Sequence, residues 1–457
     1  MKNEYEIRTD KLNKLIALGV NPYPSKVNID KSLAEVRSLG SGFKDELSIA
    51  GRIMSIRGHG GSAFMTLKDE SGELQIFLKK DVLGEENYSL VSLLDRGDFI
   101  QVTGQLFETK AGELTLEAKN FIILSKALRP LPEKRLGLKE KELRFRKRYL
   151  DLLTNKKVRE RFIKRSEIIK TVRGFLNNKG FLEVDTPVLQ AIPGGATARP
   201  FKTYYNFYHR DVFLRIAPEL YLKRLIVGGF EKVFEFARCF RNECADATHN
   251  PEFTNLEFYW AYADYEKLME LTEELLSKID PEEFSPPFKR MTFEEITQGK
   301  NTDDALKEEE KKIVEPTFII DHPKEISPLA KGKEDDPTKV QRFQVVFRGL
   351  EIVNAYSELN DPVEQAKRFA EQKKMIEKGD KEAHPTDTDF VEALEYGMPP
   401  TAGWGMGIDR VTALLTGAET LREAILFPYM KPIEKNKKNN NIDDFIHRDG
   451  NTSEVDE

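Results

Sequence analysis

Gly403-Trp-Gly-Met-Gly-Ile-Asp-Arg410, running directly into Val411-Thr-Ala-Leu-Leu-Thr416, is the stretch on which the fold of this 457-residue chain turns. Its glycines invite a dinucleotide-loop reading, but the third Gly of GxGxxG is missing and no acidic residue stands where a βαβ unit would need one. What remains is a Gly-rich strand leading into a helix. Outward from it, FLRIAP, VFEFARCFR, FTNLEFYWAYA and RFQVVFRGLEIVNAY read as further strands, with helices near 219–228, 264–279 and 361–378. Strands at long, uneven intervals lack the regular alternation of a doubly wound fold. They predict an α+β domain built on a mainly antiparallel sheet.

The N-terminal part follows a different pattern. Residues 1–25 read as a polar helix ending at Gly19, followed by the turn Asn21-Pro-Tyr-Pro24. From Leu47 to Leu124, five short runs rich in Val, Ile, Phe and Thr (SIAGRIMSIR, SAFMTLKD, GELQIFLK, DFIQVTGQLFET, GELTLEAKNFIIL) are broken by Gly and Asp-Arg-Gly turns. They predict a small antiparallel β-barrel of the OB type, with SLVSLL near residue 90 as its helix. The predicted organisation is a helix and barrel over 1–125, a basic linker over 126–150, the α+β domain over 151–432 and a disordered tail over 433–457. Residues 281–340, rich in Pro, Lys and Glu, read as an irregular surface excursion.

The 71 Lys and Arg against 77 Asp and Glu give a net charge of −6, which excludes a uniformly basic nucleic-acid coat. Positive charge is concentrated locally: Lys126 to Gly180 holds 19 Lys and Arg (among them Lys134, Arg135, Arg146 and Arg148) against 6 Asp and Glu, an excess of 13. Such an excess between barrel and core predicts a grip for a polyanion. Val158, Phe162, Ile169, Val172 and Leu176 recur there at helical spacing, with the basic residues on the outer face. No uncharged run approaches the roughly 18 apolar residues of a membrane span, and the charged start has no apolar signal core. The two cysteines, Cys239 and Cys244, make neither a disulfide framework nor a complete Cys zinc site. The expectation is a cytoplasmic protein.

Two further segments carry unusual residues. Ile192-Pro-Gly-Gly-Ala-Thr-Ala-Arg-Pro-Phe201 holds adjacent glycines that let backbone approach a ligand. Phe240-Arg-Asn-Glu-Cys-Ala-Asp-Ala-Thr-His-Asn-Pro-Glu-Phe253 spans a strand, a loop and a strand. It would gather a guanidinium, a carboxylate, an imidazole and a ring on one surface. Singly, such a His or Phe is ordinarily structural; with the Gly-rich segment they form three motifs in order.

At these residues the chain resembles the class II aminoacyl-tRNA synthetases, and within them the lysyl branch. The motifs that carry the likeness are IPGGATARPF, RIAPELYLKRL at 215–225, HNPEFTNLEFYWAYADY at 249–265, EIVNAYSELNDP at 351–362 and ALEYGMPPTAGWGMGIDR at 393–410. The likeness extends from GVNPYP to Lys431-Pro432. It implies activation of L-lysine with ATP to lysyl-adenylate and transfer to the 3′ end of tRNA(Lys), with Mg2+ as cofactor and a homodimer as the assembly.

The resemblance also implies a site. Arg241 suits a bridge between the α-phosphate and the attacking carboxylate, with Arg410 and Glu351 beside it as catalytic groups. Phe253 and Arg410 would sandwich the adenine, Glu243 would accept from its amine, and His249 and Asn250 would lie along the nucleotide. Glu351 would ligate magnesium. For lysine, the resemblance implies Glu358 with Tyr259 at the ε-ammonium, Glu219 and Gly195 at the α-amino group, Glu257 at either end, and Asn354, Tyr356 and Gly405 alongside. In the barrel, Arg57, Phe64, Gln75 and Glu113 match anticodon-reading positions. Three departures stand out: Gln344 replaces the usual second metal acid, Thr248 stands where Arg is common, and residues 281–315 form a short connection. An amide oxygen at Gln344 still offers a weaker metal ligand. The alternatives are a relative that modifies a protein, disfavoured by the barrel, and one that only binds tRNA.

Overall fold

The computed structural model describes residues 3–132, 138–243, 246–300, 302–378 and 385–433. The tail from 434 onward, Lys134, Arg135 and Cys244 lie outside the described residues. The chain divides into two compact units, Met1–Gly137 and Leu138–Glu457.

The first unit opens with a helix, Glu4–Ala17, started by an Asn3/Glu6 capping box. Five strands follow: β1 (Leu47–His59), β2 (Ser62–Lys68), β3 (Glu73–Lys79), β4 (Phe99–Glu108) and β5 (Leu114–Ser125). They close into a barrel in the order β1-β2-β3-β5-β4, antiparallel as expected except where β3 and β5 pair in parallel to close it, a correction to the all-antiparallel expectation that follows from the crossover between them. Period-2 alternation explains the barrel: Ala63, Met65 and Leu67 of β2 and Leu74, Ile76 and Leu78 of β3 point inward, while the intervening residues face out. The helix predicted near residue 90 is broken into Lys80–Leu83, Glu85–Ser89 and a 3-10 turn at Leu90–Leu93.

The second unit carries β6 (Leu182–Glu183), β7 (Leu189–Gln190), β8 (Lys202–Tyr205), β9 (Arg210–Leu214), β10 (Lys232–Phe240), β11 (Glu252–Ala261), β12 (Lys289–Thr292), β13 (Thr317–Ile320), β14 (Arg342–Phe347), β15 (Leu350–Ser357) and β16 (Thr401–Gly407). Eight of them form one sheet in the order β12-β13-β14-β15-β16-β11-β10-β6. Only the outer pairs β12/β13 and β10/β6 are parallel, so the sheet is mainly antiparallel. Helices Lys156–Asn178 and Tyr265–Ile279 cover one face through Ile168, Val172, Leu176, Leu268 and Leu275. At the centre of that face Trp404 of β16 stacks on Phe258 of β11 at 4.8 Å. The helices predicted near 219–228, 264–279 and 361–378 occur as Glu219–Val227, Tyr265–Ile279 and Pro362–Glu377.

One further expectation needs correction. The stretch read as an irregular excursion contributes β12 and β13 to the sheet edge, because Phe293, Phe318 and Ile319 supply a core that its average polarity concealed. The basic stretch read as a polyanion grip has part of its charge engaged in ion pairs within its own unit. Arg144 and Arg148 pair with Asp151, Arg146 with Glu142, Arg161 with Glu423, Arg165 with Asp409 and Arg173 with Glu183. Arg148 is fully buried and donates to the Arg422, Ile425 and Leu426 carbonyls, so its role is structural. Among the described residues no helix is long and apolar enough to cross a membrane.

Candidate active site

The uncovered face of the large sheet is the floor of a cleft of about 350 Å³, within the size range of small-molecule sites. Its pattern follows from strand register. Across β15, β16 and β11, Asn354, Gly405 and Glu257 stand side by side, and Tyr356, Gly403 and Tyr259 form the next row. The alternate residues, Ala355, Trp404 and Phe258, point into the core. Period 2 thus sorts polar groups to one face and apolar ones to the other. The glycines of GWGMG keep the middle strand low. A Cβ on Gly403 would stand 2.0 Å from Glu358 Oε1 and 2.6 Å from Tyr259 Cε1.

One end of the cleft is acidic. Glu257 is buried, accepting from Asn255 Nδ2 at 2.9 Å and from the Tyr259 hydroxyl at 3.2 Å. Burial, with Glu219 nearby, pushes its carboxyl up to about 8. Glu219 opens the Glu219–Val227 helix, where its Oε1 accepts from the Tyr356 hydroxyl at 2.7 Å and from Lys223 Nζ at 2.5 Å. Gly195 packs over it with φ of +85°, and an added Cβ would meet Glu219 Cβ at 2.7 Å. Glu358 stands on the same side of the sheet at 1% exposure, its Oε2 paired with Lys223. Its Oε1 has no hydrogen-bond donor and lies against Gly403. A fully buried carboxylate oxygen without a donor is costly, and it marks a place for a cationic ligand group.

The other end carries a guanidinium beside an aromatic ring. Arg241 lies over the Phe253 ring at 5.0 Å, and its buried Nε has no partner. Glu243, His249 and Asn250 line the same space. Glu243 accepts from the Arg199 amide at 3.1 Å, His249 Nδ1 lies 3.1 Å from Asp246, and the Asn250 amide donates to the Glu252 carbonyl at 2.5 Å. Arg410 begins the last helix of the sheet layer and donates to the Glu351 carbonyl at 2.8 Å. Asp409 braces this corner by accepting from the Thr254 amide and from Arg165.

The pair read as metal ligands is arranged asymmetrically. Gln344 donates from Nε2 to Glu351 Oε2 at 3.0 Å, and its Oε1 lies 2.9 Å from His322 Nε2. A carboxylate only accepts, so the amide nitrogen must face Glu351 and the amide oxygen must accept from His322. His322 is fully buried, and burial with Arg342 nearby pushes it down to about 3, so it is a neutral donor here. The amide oxygen a metal would need is therefore already engaged, and Gln344 orients Glu351. Glu310 was not singled out in sequence; burial and the neighbouring Glu351 push it up to about 7.

Every other residue proposed for ATP or lysine lines this one cleft; Glu358 adjoins it at Gly403 and Gln344 at Glu351. Sequence reasoning missed Lys223, His322 and Arg342. The last lines the cleft and donates from Nε to Asn354 Oδ1 at 2.9 Å. Lys223 had a signal in its four-residue spacing from Glu219; the others had none.

In the first unit, Arg57 of β1 is the register partner of Phe64 of β2, which is exposed and stacks on Phe77 of β3 with centroids 4.6 Å apart. Gln75, two residues before Phe77, donates to Thr115 Oγ1 at 3.0 Å. Glu113, just before β5, lies 3.9 Å from Arg37. Arg57, Phe64 and Gln75 thus share one face, and Phe77 adds to it a ring not foreseen from sequence.

Comparison with known proteins agrees with these features. Residues 140–431 match the model described as tRNA synthetases class II (D, K and N), and residues 47–124 match OB-fold nucleic acid binding domain. The chain is 45% identical to a protein named lysine–tRNA ligase from Thermoanaerobacter pseudethanolicus, over 93% of this chain and 95% of the relative. It is 44% identical to one of the same name from Thermotoga maritima, over 94% and 97%. A third, from Magnetococcus marinus, is 46% identical over 93% and 96%.

Proposed function

The chain belongs to the class II tRNA synthetases of the D, K and N group, and from that premise we infer that it is a lysine–tRNA ligase. It joins lysine to ATP as lysyl-adenylate, releasing pyrophosphate, and passes the lysyl group to the 3′ end of tRNA(Lys). The observation that carries the choice of lysine is the acidic end of the cleft, where the buried Oε1 of Glu358 has no donor beside Tyr259 and Glu257. A neutral or anionic side chain would leave these acids uncompensated.

The first step needs no protein nucleophile. The lysine carboxylate attacks the α-phosphorus and pyrophosphate leaves in line, so placement and charge stabilisation are the enzyme's contributions. In this reading Arg241, with an unpaired Nε, spans the attacking carboxylate and the α-phosphate. Phe253 and Arg410 hold the adenine from its two faces, Glu243 accepts from its amine, and His249 and Asn250 lie along the nucleotide. Glu358 with Tyr259 takes the ε-ammonium and Glu219 the α-ammonium, with Glu257 between them. Gly195, Gly405, Asn354 and Tyr356 shape the wall. Glu351, steadied by Gln344 and with its second oxygen available, is a hard carboxylate that fits magnesium shared with phosphate oxygens. When bound, that ion supplies neutralisation of phosphate charge.

The barrel would read the anticodon by stacking a base on Phe64 and Phe77 and contacting its edge with Gln75 and Glu113, Arg57 supporting the backbone. A homodimer working in the cytoplasm completes the reading. The test is ATP–pyrophosphate exchange on purified protein. Exchange should depend on lysine; its absence, or a preference for aspartate or asparagine, would overturn the assignment.

A further inference from the structure

We infer that Lys223 is a resident counter-ion of the lysine pocket, a positioning residue that pairs with Glu219 and Glu358 and aims them at the substrate's two ammonium groups. The inference rests on the reading of the cleft as a lysine site and adds a residue to it.

Lys223 lies on the Glu219–Val227 helix with no exposed surface. Its Nζ is 2.5 Å from Glu219 Oε1, one helical turn away, and is also paired with the Glu358 carboxylate. The rings of Tyr356 and Phe390 flank it at 5.6 and 5.8 Å, which favours a cation in an otherwise apolar enclosure. The titratable groups around it are Glu219 on its own helix, Tyr356 and Glu358 from β15 and the residue after it, and Glu257 and Tyr259 from β11. Arg224 takes no part, because it pairs with Asp387 and Asp389.

Buried ammonium groups require paired acids, and buried acids require cations. Lys223 meets both needs from behind the cleft wall, leaving the forward oxygen of Glu358 without a donor. Charge count supports the same role. Glu219, Glu257 and Glu358 less the one charge of Lys223 leave two negative charges, which match the α- and ε-ammonium groups of lysine. Burial pushes Glu358 well up, and Lys223 is the group that opposes this. Loss of Lys223 would push the carboxyl higher still, so lysine binding would compete more strongly with its proton.

The test compares Lys223→Met and Lys223→Arg with the wild type, once lysine-dependent exchange by the wild type is established. Failure of that exchange removes the functional reading itself. Lys223→Met should raise the lysine KM at pH 7 by roughly tenfold or more, the scale of a charged hydrogen bond, with kcat and the ATP dissociation constant little changed. Its lysine affinity should climb more steeply with pH than that of the wild type, and Lys223→Arg should keep the wild-type slope. A Lys223→Met enzyme with wild-type lysine KM and slope, or an arginine variant with the methionine slope, overturns the proposal. A measurement on the wild type covers a variant that fails to fold. Calorimetry of lysine binding at pH 7 in buffers of different ionisation enthalpy should show fewer than two protons released, since Lys223 opposes protonation of Glu358. Release of two or more overturns it.

Discussion

Adding one methyl group at Gly403 tests the floor of the lysine site directly. In Gly403→Ala the new Cβ falls 2.0 Å from Glu358 Oε1 and 2.6 Å from Tyr259 Cε1, distances no real pair of atoms tolerates. The strand cannot drop away, because β16 is hydrogen-bonded on both sides and backed by the Trp404–Phe258 stack. Relief must come from the two side chains, which are the proposed ε-ammonium partners. Overpacking of this kind costs about 1–3 kcal/mol of stability. Turning Glu358 aside forfeits a charge-assisted hydrogen bond worth about 1.5–3 kcal/mol, a rise in lysine KM of roughly 10- to 150-fold. Titrating lysine and ATP separately in pyrophosphate exchange distinguishes the effects, since Arg241 and Phe253 lie at the other end of the cleft. A lysine KM within twofold of wild type, or an equal rise for ATP, would refute the placement of the ammonium.

Three other outcomes follow from the geometry. With Glu257 held at about 8 in the empty site, it is mostly protonated at pH 7; a bound cation favours its charged form, so lysine affinity should rise with pH, by up to about tenfold per unit, and level off above about 8. Calorimetric dissociation constants from pH 6 to 9 check this, and Glu257→Gln should flatten the slope. Arg241→Ala should slow exchange by roughly a hundredfold or more, the scale of losing a transition-state charge donor, while filter binding shows tRNA affinity unchanged. Phe64→Ala removes the outer ring of the Phe64–Phe77 stack and should weaken tRNA binding by about 1–3 kcal/mol, leaving tRNA-free exchange at the wild-type rate.

What the sequence discloses depends on how far each cause extends along the chain. The barrel is legible because β2 and β3 repeat an inward residue every second position, and the Gly-rich strand followed by a helix appears where GWGMGIDR predicts it. The acids at 219, 257 and 358 are legible through motifs, although nothing in their spacing says that Glu358 packs against Gly403. Partners distant in sequence are not legible. The donor state of His322 and the orientation of Gln344 arise from contacts across 22 residues that only the β13–β14 pairing creates. The charge excess between 126 and 180 is reduced for the same reason, since two of the acids that pair with it, Asp409 and Glu423, lie more than 200 residues on.

The acidic total and a polyanionic partner are compatible because the two signs of charge act at different depths. The carboxylates of Glu257 and Glu358 are buried on the cleft side of the sheet, and that of Glu219 is joined to Lys223. An exposed phosphate feels charges within about 8–10 Å at physiological salt, so what governs RNA binding is the local surface. Selectivity is governed by the interior. An acid pocket that waits with one oxygen unpaired is destabilised while empty, and it recovers that energy only when a ligand brings a cation to the right point. A neutral analogue of equal length fills the space without relieving the charge, so it should bind far less tightly although nothing excludes it sterically.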